Sequence, residues 1–285
     1  MLAVDIGGTK MAAAIVLADG TIVRRDRIAT PQREPWVALS ALVRRIQAAA
    51  GDIDVLACGV ACGGPMSRGG DDVSPLHIPS WRNFALRASI AELTGLPTYV
   101  DNDAKALAMA EGWIGAARGV DDFIAVVIGT GVGGGIVSGG RLVDGRLGNA
   151  GHIGHVIVEP GGRPCRCGAQ GCLEAYLAGY AIEVETGRGA AYANKAIVER
   201  NGRYLGRALA GVVAVCDIRC AVLSGGVAQG WGEPFIDAAT NEFGQRSRLG
   251  FTAGFEIRPA ALGGNAALVG AAAVAFVRQR RSPSR

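Results

Sequence analysis

Residues 151–176, GHIGHVIVEPGGRPCRCGAQGCLEAY, hold three of the chain's seven cysteines and two of its three histidines. Within that run His155, Cys165, Cys167 and Cys172 are spaced H-x9-C-x-C-x4-C. Three thiolates and one imidazole complete a closed tetrahedral shell, the usual form of a structural zinc site. The glycines of CRCGAQGC make a tight turn that lets three sulfurs converge on one ion. The run contains no CxxC, which disfavours a redox pair. The other cysteines, Cys58, Cys62, Cys216 and Cys220, sit in apolar stretches and read as small buried hydrophobes.

A second chemistry is written in glycine. In DIGGTK, residues 5–10, Gly7 and Gly8 let the backbone approach a ligand closely and aim N–H groups at it, which suits a phosphate. Thr9 adds a hydroxyl and Lys10 a cation, and Asp5 at the end of a strand could reach a magnesium ion through water. A plain Gly-Gly hairpin turn is the alternative for this motif taken alone. IGTGVGGG, residues 128–135, repeats the construction around Gly129, Thr130 and Gly131. VLSGGVA, residues 222–228, ends a strand in Gly225 and Gly226, placed to lie against an adenine or ribose. No GxxxxGK[ST] occurs, so this is not a Walker-type loop.

YVDNDAKALAMAEG places Asp101, Asn102 and Asp103 where a strand gives way to a helix. Open α/β sheets put reactive groups at such junctions. Any one of these acids could instead cap the helix. Asn102 and Asp103 together can hold and deprotonate a substrate hydroxyl, the one proton transfer that phosphoryl transfer requires.

These motifs need an α/β frame. The composition fits one: of 285 residues, 49% are apolar, 19% charged and 44 are glycine. The net charge of +4 is thinly spread apart from VRQRRSPSR at the C-terminus, which reads as a solvated tail rather than a nucleic-acid arm. No apolar run is long enough to span a membrane, and Asp5 and Lys10 interrupt the only stretch with the hydrophobicity of a signal peptide. A cytoplasmic setting follows, in which thiols stay reduced and metal binding outranks disulfides.

Along the chain, strand–glycine turn–strand occurs at residues 2–17, followed by a strand over TIVRRDRIAT and a helix from Pro35. A short strand over VLACGVA, a helix closed by Gly95 and Pro97, and the strand TYVDN come next. DDFIAVVIGTGVGGGIVSGGRLV then echoes the opening, and a helix over GRYLGRALAGVVAVCD, the strand CAVL and a final amphipathic helix complete the reading. Two related lobes are expected, 1–115 and 116–285, with a zinc loop at 155–172 and the last helix packing back on the first lobe.

With these residues assembled, the chain resembles the ROK family of repressors, open reading frames and sugar kinases. The matching motifs are DIGGTK, DNDAKALAMAEG, IGTGVGGGIV, GHIGH, CRCGAQGCLE and VLSGGVA, in family order over almost the whole chain. The resemblance implies a two-lobed actin-like ATPase (ribonuclease H-like) α/β fold with an interlobe cleft. It implies ATP and Mg2+ in that cleft and transfer of the γ-phosphoryl group to a sugar hydroxyl, usually O6 of a hexose. Asp103 would be the general base and Asn102 would hydrogen-bond the sugar. His155 would bind zinc through one nitrogen and face the sugar with the other, and Glu174 would accept sugar hydroxyls. Repressor members carry an N-terminal helix-turn-helix, for which a phosphate motif starting at Asp5 leaves no room, so no nucleic-acid partner is expected. A homodimer is common in the family.

Three departures bear on this reading. Most sugar kinases of the family have Glu where this chain has His152, and GHIGH resembles the variant of bacterial N-acetylmannosamine kinases. A carboxylate accepts from two adjacent hydroxyls, whereas a neutral imidazole has one acceptor. In SPLHIPSW, many relatives have Asn at His77, while the wording around Trp81 is closer to glucokinase-like members. Few residues separate VETGR from IVERNGRYLGRAL, where relatives often carry a longer helical insert. The competing readings are a sugar sensor that kept the fold without the chemistry, and polyphosphate in place of ATP as donor.

Overall fold

The computed structural model describes residues 1–75 and 77–279; of the basic C-terminal run, residues 280–285 lie outside it. Contacts divide the chain into two compact units. The first comprises Met1–Ile114, Asp144–Asn149 and the chain from Leu262, and the second Gly115–Val143 and Ala150–Ala261.

In the first unit, β1 (Leu2–Ile6), β2 (Lys10–Val16) and β3 (Ile22–Ala29) form an antiparallel meander. The helix α1 (Pro35–Ala48) starts on a proline, whose missing N–H costs nothing at a helix start. β4 (Cys58–Cys62), α2 (Leu86–Thr94), β5 (Thr98–Asn102) and α3 (Asp103–Ile114) follow. The sheet order is β3-β2-β1-β4-β5, with β1, β4 and β5 parallel. Alternation sorts its two faces. Leu2, Val4, Ile6, Val60 and Val100 pack with Leu39, Leu42, Leu86 and Ile90 of α1 and α2.

In the second unit, β6 (Phe123–Ile128), β7 (Val132–Ser138) and β8 (Arg141–Leu142) repeat the antiparallel meander. After a long irregular stretch come the short helices α4 (Glu174–Leu177) and α5 (Gly179–Thr186), then α6 (Lys195–Cys216), β9 (Cys220–Ser224), α7 (Gly226–Arg246) and β10 (Glu256–Pro259). The order β10-β9-β6-β7-β8 mirrors the first sheet, and its core is Ile124, Val126, Ile128 and Leu223 against Leu205, Leu209 and Phe235. The chain then returns to the first unit as α8 (Ala266–Gln279), which packs on β1, β4, β5 and α3. Glycine at position 59 is what admits it: a Cβ there would stand 1.9 Å from the carbonyl oxygen of Ala271.

Seven thiols are free, and Cys58, Cys62 and Cys220 are buried as expected, whereas Cys216 is half-buried near the end of α6. Burial pushes the Cys58 thiol up to about 12 and raises Cys62 too, so neither is a ready nucleophile. Among the described residues no helix is long and apolar enough to cross a membrane.

Candidate active site

The parallel register aligns Asp5, Ala61 and Asp101 in one row and Ile6, Cys62 and Asn102 in the next. The DIGGTK turn and the DND junction therefore leave the same edge of the first sheet. Gly7 N–H closes the turn on the carbonyl of Lys10 at 3.0 Å, and Thr30 Oγ1 donates to the carbonyl of Gly7 at 2.6 Å. Gly8 lies under His77, and a Cβ there would come within 2.2 Å of the His77 Cβ. Thr9 and Lys10 are exposed at the turn.

Asn102 and Asp103 do act as caps, but only with one atom each. Ala104 N–H donates to Asn102 Oδ1 at 3.0 Å and to Asp103 Oδ1 at 2.8 Å. Those bonds use one oxygen of each side chain, and the Asn102 side chain also hydrogen-bonds to the Asp103 carboxylate. Surrounding protein raises the pKa of Asp103, although the side chain keeps an accessible face. Burial, then the charge of Asp103, pushes Asp5 up to about 6. Two carboxylates that resist joint ionisation at one sheet edge suit a general base and a cation ligand.

In the second unit, the turn Gly129–Gly131 is held from one side by the α4–α5 hairpin. Gly179 N–H donates to the carbonyl of Gly129 at 2.7 Å, and Val132 N–H donates to Glu174 Oε2 at 3.0 Å. Gly225, with φ +96°, abuts the end of β6, where a Cβ would lie 2.2 Å from the carbonyl of Ile128. The second and third glycine turns are thus neighbours, and Gly226 opens α7.

The spacing of GHIGH has a backbone cause. Gly151 crosses Gly134 of β7, where a Cβ would be 2.2 Å from the Gly134 carbonyl oxygen, and Gly154 crosses Val132 at 2.3 Å. Between them Ile153–His155 makes one 3-10 turn, in which residues three apart eclipse. His152 and His155 accordingly present near-parallel rings, 6.2 Å between centroids and 19° apart in plane.

One ligand atom from each of His155, Cys165, Cys167 and Cys172 lies within 4.8 Å of the others. The sulfurs of Cys167 and Cys172 are 3.7 Å apart, and Cys165 Sγ is 3.9 Å from His155 Nδ1. A zinc–sulfur bond of about 2.3 Å places neighbouring corners of a tetrahedron about 3.8 Å apart, so the four fit one ion. The spacing is far too long for a disulfide. Gly171 permits the fold of the loop, since its φ is +78° and a Cβ would meet the carbonyl of Glu159 at 1.9 Å.

Residues 1–278 match the ROK family. The chain belongs to that family. It is 36% identical over 252 residues to the N-acetylmannosamine kinase of Escherichia fergusonii, covering 81% of this chain and 84% of that protein. A ROK hexokinase structure from Thermus thermophilus superposes with a TM-score of 0.88 at 32% identity, covering 99% of both chains. A ROK glucokinase from Streptomyces griseus, solved with glucose and AMPPNP, gives 0.79 at 31% identity over 98% of this chain and 99% of that one. The fold is the actin-like ATPase fold of the ROK hexokinases.

Within this ROK frame, sequence reasoning missed what braces the motifs. Glu174 was expected to face sugar, yet both its oxygens also serve the protein: Oε2 takes Val132 N–H, and Oε1 takes the Tyr180 hydroxyl at a long 3.5 Å. Arg166, between two of the cysteines, stacks over the Tyr180 ring at 3.6 Å. Lys105, Asp144 and Arg278 were passed over as well. Their one local signal is the acid–base spacing of Asp101 and Lys105, four residues apart across the β5–α3 junction.

Proposed function

We infer that this ROK-type, ATP-dependent sugar kinase takes an N-acetylhexosamine as acceptor, N-acetylmannosamine first, and phosphorylates it at O6. The observation that carries the choice is His152, at the place where a glucose-type site has a carboxylate. An acetamido group presents a carbonyl oxygen, which an imidazole N–H can meet and a carboxylate cannot. The kinship with N-acetylmannosamine kinases supports the same choice.

Asp103 Oδ2 takes the proton of the acceptor hydroxyl, which the Asn102 amide orients. Its raised pKa brings it nearer to working pH, where a base is most effective. The turns Gly7–Thr9 and Gly129–Gly131, with Lys10 and Thr130, hold the phosphates, and Gly225–Gly226 lie against the nucleoside. Mg2+ held through Asp5 would neutralise phosphate charge, and zinc held by His155, Cys165, Cys167 and Cys172 would fix the loop that presents His152, His155 and Glu174. A cytoplasmic setting keeps those thiols reduced. A homodimer is the assembly we assign by kinship.

The test is ADP release over glucose, mannose, N-acetylglucosamine and N-acetylmannosamine, for wild type and His152→Glu. N-Acetylmannosamine is expected to give the highest kcat/KM, and His152→Glu to move the ranking toward glucose by about tenfold or more. Glucose outranking N-acetylmannosamine in the wild type overturns the acceptor assignment.

A further inference from the structure

A ring of four charges, Lys105 and Asp101 buried and Asp144 and Arg278 half-buried, lies beside Asn102 and Asp103, and phosphoryl transfer as set out above makes no use of it. Lys105, in the first turn of α3, is only 2% exposed. Lysine is almost never so deeply buried unless it is paired. Its ammonium donates to Asp144 Oδ1 at 3.0 Å and to the carbonyl of Gly148 at 2.9 Å, and stands 3.7 Å from Asp101 Oδ1. Arg278 of α8 reaches the same two carboxylates, donating through Nη2 to Asp144 Oδ1 at 2.9 Å and to Asp101 Oδ2. The ring is bonded straight into the β5–α3 junction, because Asp101 Oδ1 accepts the N–H of Asn102 at 2.9 Å.

The other partner of the ring is the segment Asp144–Asn149. None of its side chains is buried, and Leu147 is 56% exposed. Bonds from Lys105 and Arg278 fasten this segment to the first unit. Against the burial of Asp144 itself, which acts the other way, Arg278 and Lys105 hold its carboxyl below its ordinary pKa. A buried ion pair is a poor route to stability, since apolar residues of like volume serve as well or better. What such a ring supplies is geometry, as every member is reached from two sides.

We propose that Lys105 is a positioning residue: by tying the 144–149 segment to the β5–α3 junction, it sets where Asn102 and Asp103 present the atoms that meet the acceptor hydroxyl. The proposal rests on the reading of Asp103 as general base.

Three variants test it. Lys105→Met combined with Asp144→Leu removes one pair and leaves Asp101 balanced by Arg278, so the fold should hold, as thermal melting will report. Lys105→Arg keeps the charge but moves the donors. For both, kcat is expected to fall by about 10- to 100-fold, while KM for ATP and for sugar shifts by less than about threefold. Asp103→Asn runs in parallel. Wild-type kcat in the folded double variant or in Lys105→Arg, beside an inactive Asp103→Asn, overturns the positioning role alone. Full turnover by Asp103→Asn overturns the reading of the base, whatever the Lys105 variants do.

Discussion

The turns Gly7–Thr9 and Gly129–Gly131 join equivalent pairs of antiparallel strands, yet they are braced by different means. In the first unit the Thr30 hydroxyl, just past β3, holds the turn, and at the β5–α3 junction the Asp101 carboxylate meets cations from α3 and α8. In the second, Val132 of the turn leans on Glu174, delivered by a stretch in which β8 and α4 are separated by a single 3-10 turn and isolated bridges. That loop is closed by short-range backbone bonds, and its thiol–imidazole cluster supplies the ligands for a cross-link as well. Charge pairs brace the β5–α3 junction in one unit, and in the other a thiol–imidazole cluster sits in the loop that leads to Glu174.

The sharpest way to break the first half is Asp103→Asn. Turnover is expected to fall by about 10²- to 10⁴-fold, with sugar affinity by calorimetry nearly unchanged; a matching loss of affinity would mean the side chain binds rather than takes the proton.

The second half should fail differently. Chelating the metal from the loaded protein is expected to lower the melting of the second unit by about 10 °C or more while sparing the first. Unaltered melting would show that hydrogen bonds alone hold the loop.

A third prediction turns on pH. Asp5 stands at about 6 in the folded protein against 3.8 in the open chain. A carboxylate raised in this way keeps its proton longer when folded. Its contribution therefore favours folding most below about pH 3.8 and is lost as pH rises through about 6. Without ligands, Asp5→Asn should stabilise the protein at pH 8 by about 3 kcal/mol, from about two units at about 1.4 kcal/mol each. The gain should vanish near pH 4. Melting curves at the two pH values decide it, and an equal gain at both would refute the burial argument.

The smallest effect is reserved for Tyr180→Phe, which deletes a long hydrogen bond to Glu174 and keeps the ring under Arg166. About 0.5–1.5 kcal/mol is at stake, read as a few-fold rise in KM for ATP; no change would confine the brace to Val132.

Much of this was legible in the sequence because its causes are local. Alternation gave the paired strands, and the cysteine spacing pointed to the cluster of His155, Cys165, Cys167 and Cys172. The glycines of GHIGH could be quoted as a motif, but their reason, a backbone crossing over β7, needs residues 134 and 151 to meet. α7 escaped notice because its periodicity is cut by Gly232, where the helix breaks, and by Pro234. β10 is four residues long with no buried member, so it carries no apolar signal. The charge ring was invisible for a different reason: Lys105 and Asp144 are 39 residues apart, and Arg278 and Asp101 are 177 apart. The caps formed by Asn102 and Asp103 were weighed as an alternative to chemistry, whereas each side chain has atoms enough for both.

Because α8 completes the first unit, the order of synthesis and the order of maturation are reversed. The second unit leaves the ribosome ahead of α8. Until then the sheet face bearing Ala3, Asp5 and Gly59 has no lid, and Asp101 has no guanidinium beside it. The half begun first is finished last, and a nascent chain halted before α8 would offer that naked face to chaperones and proteases.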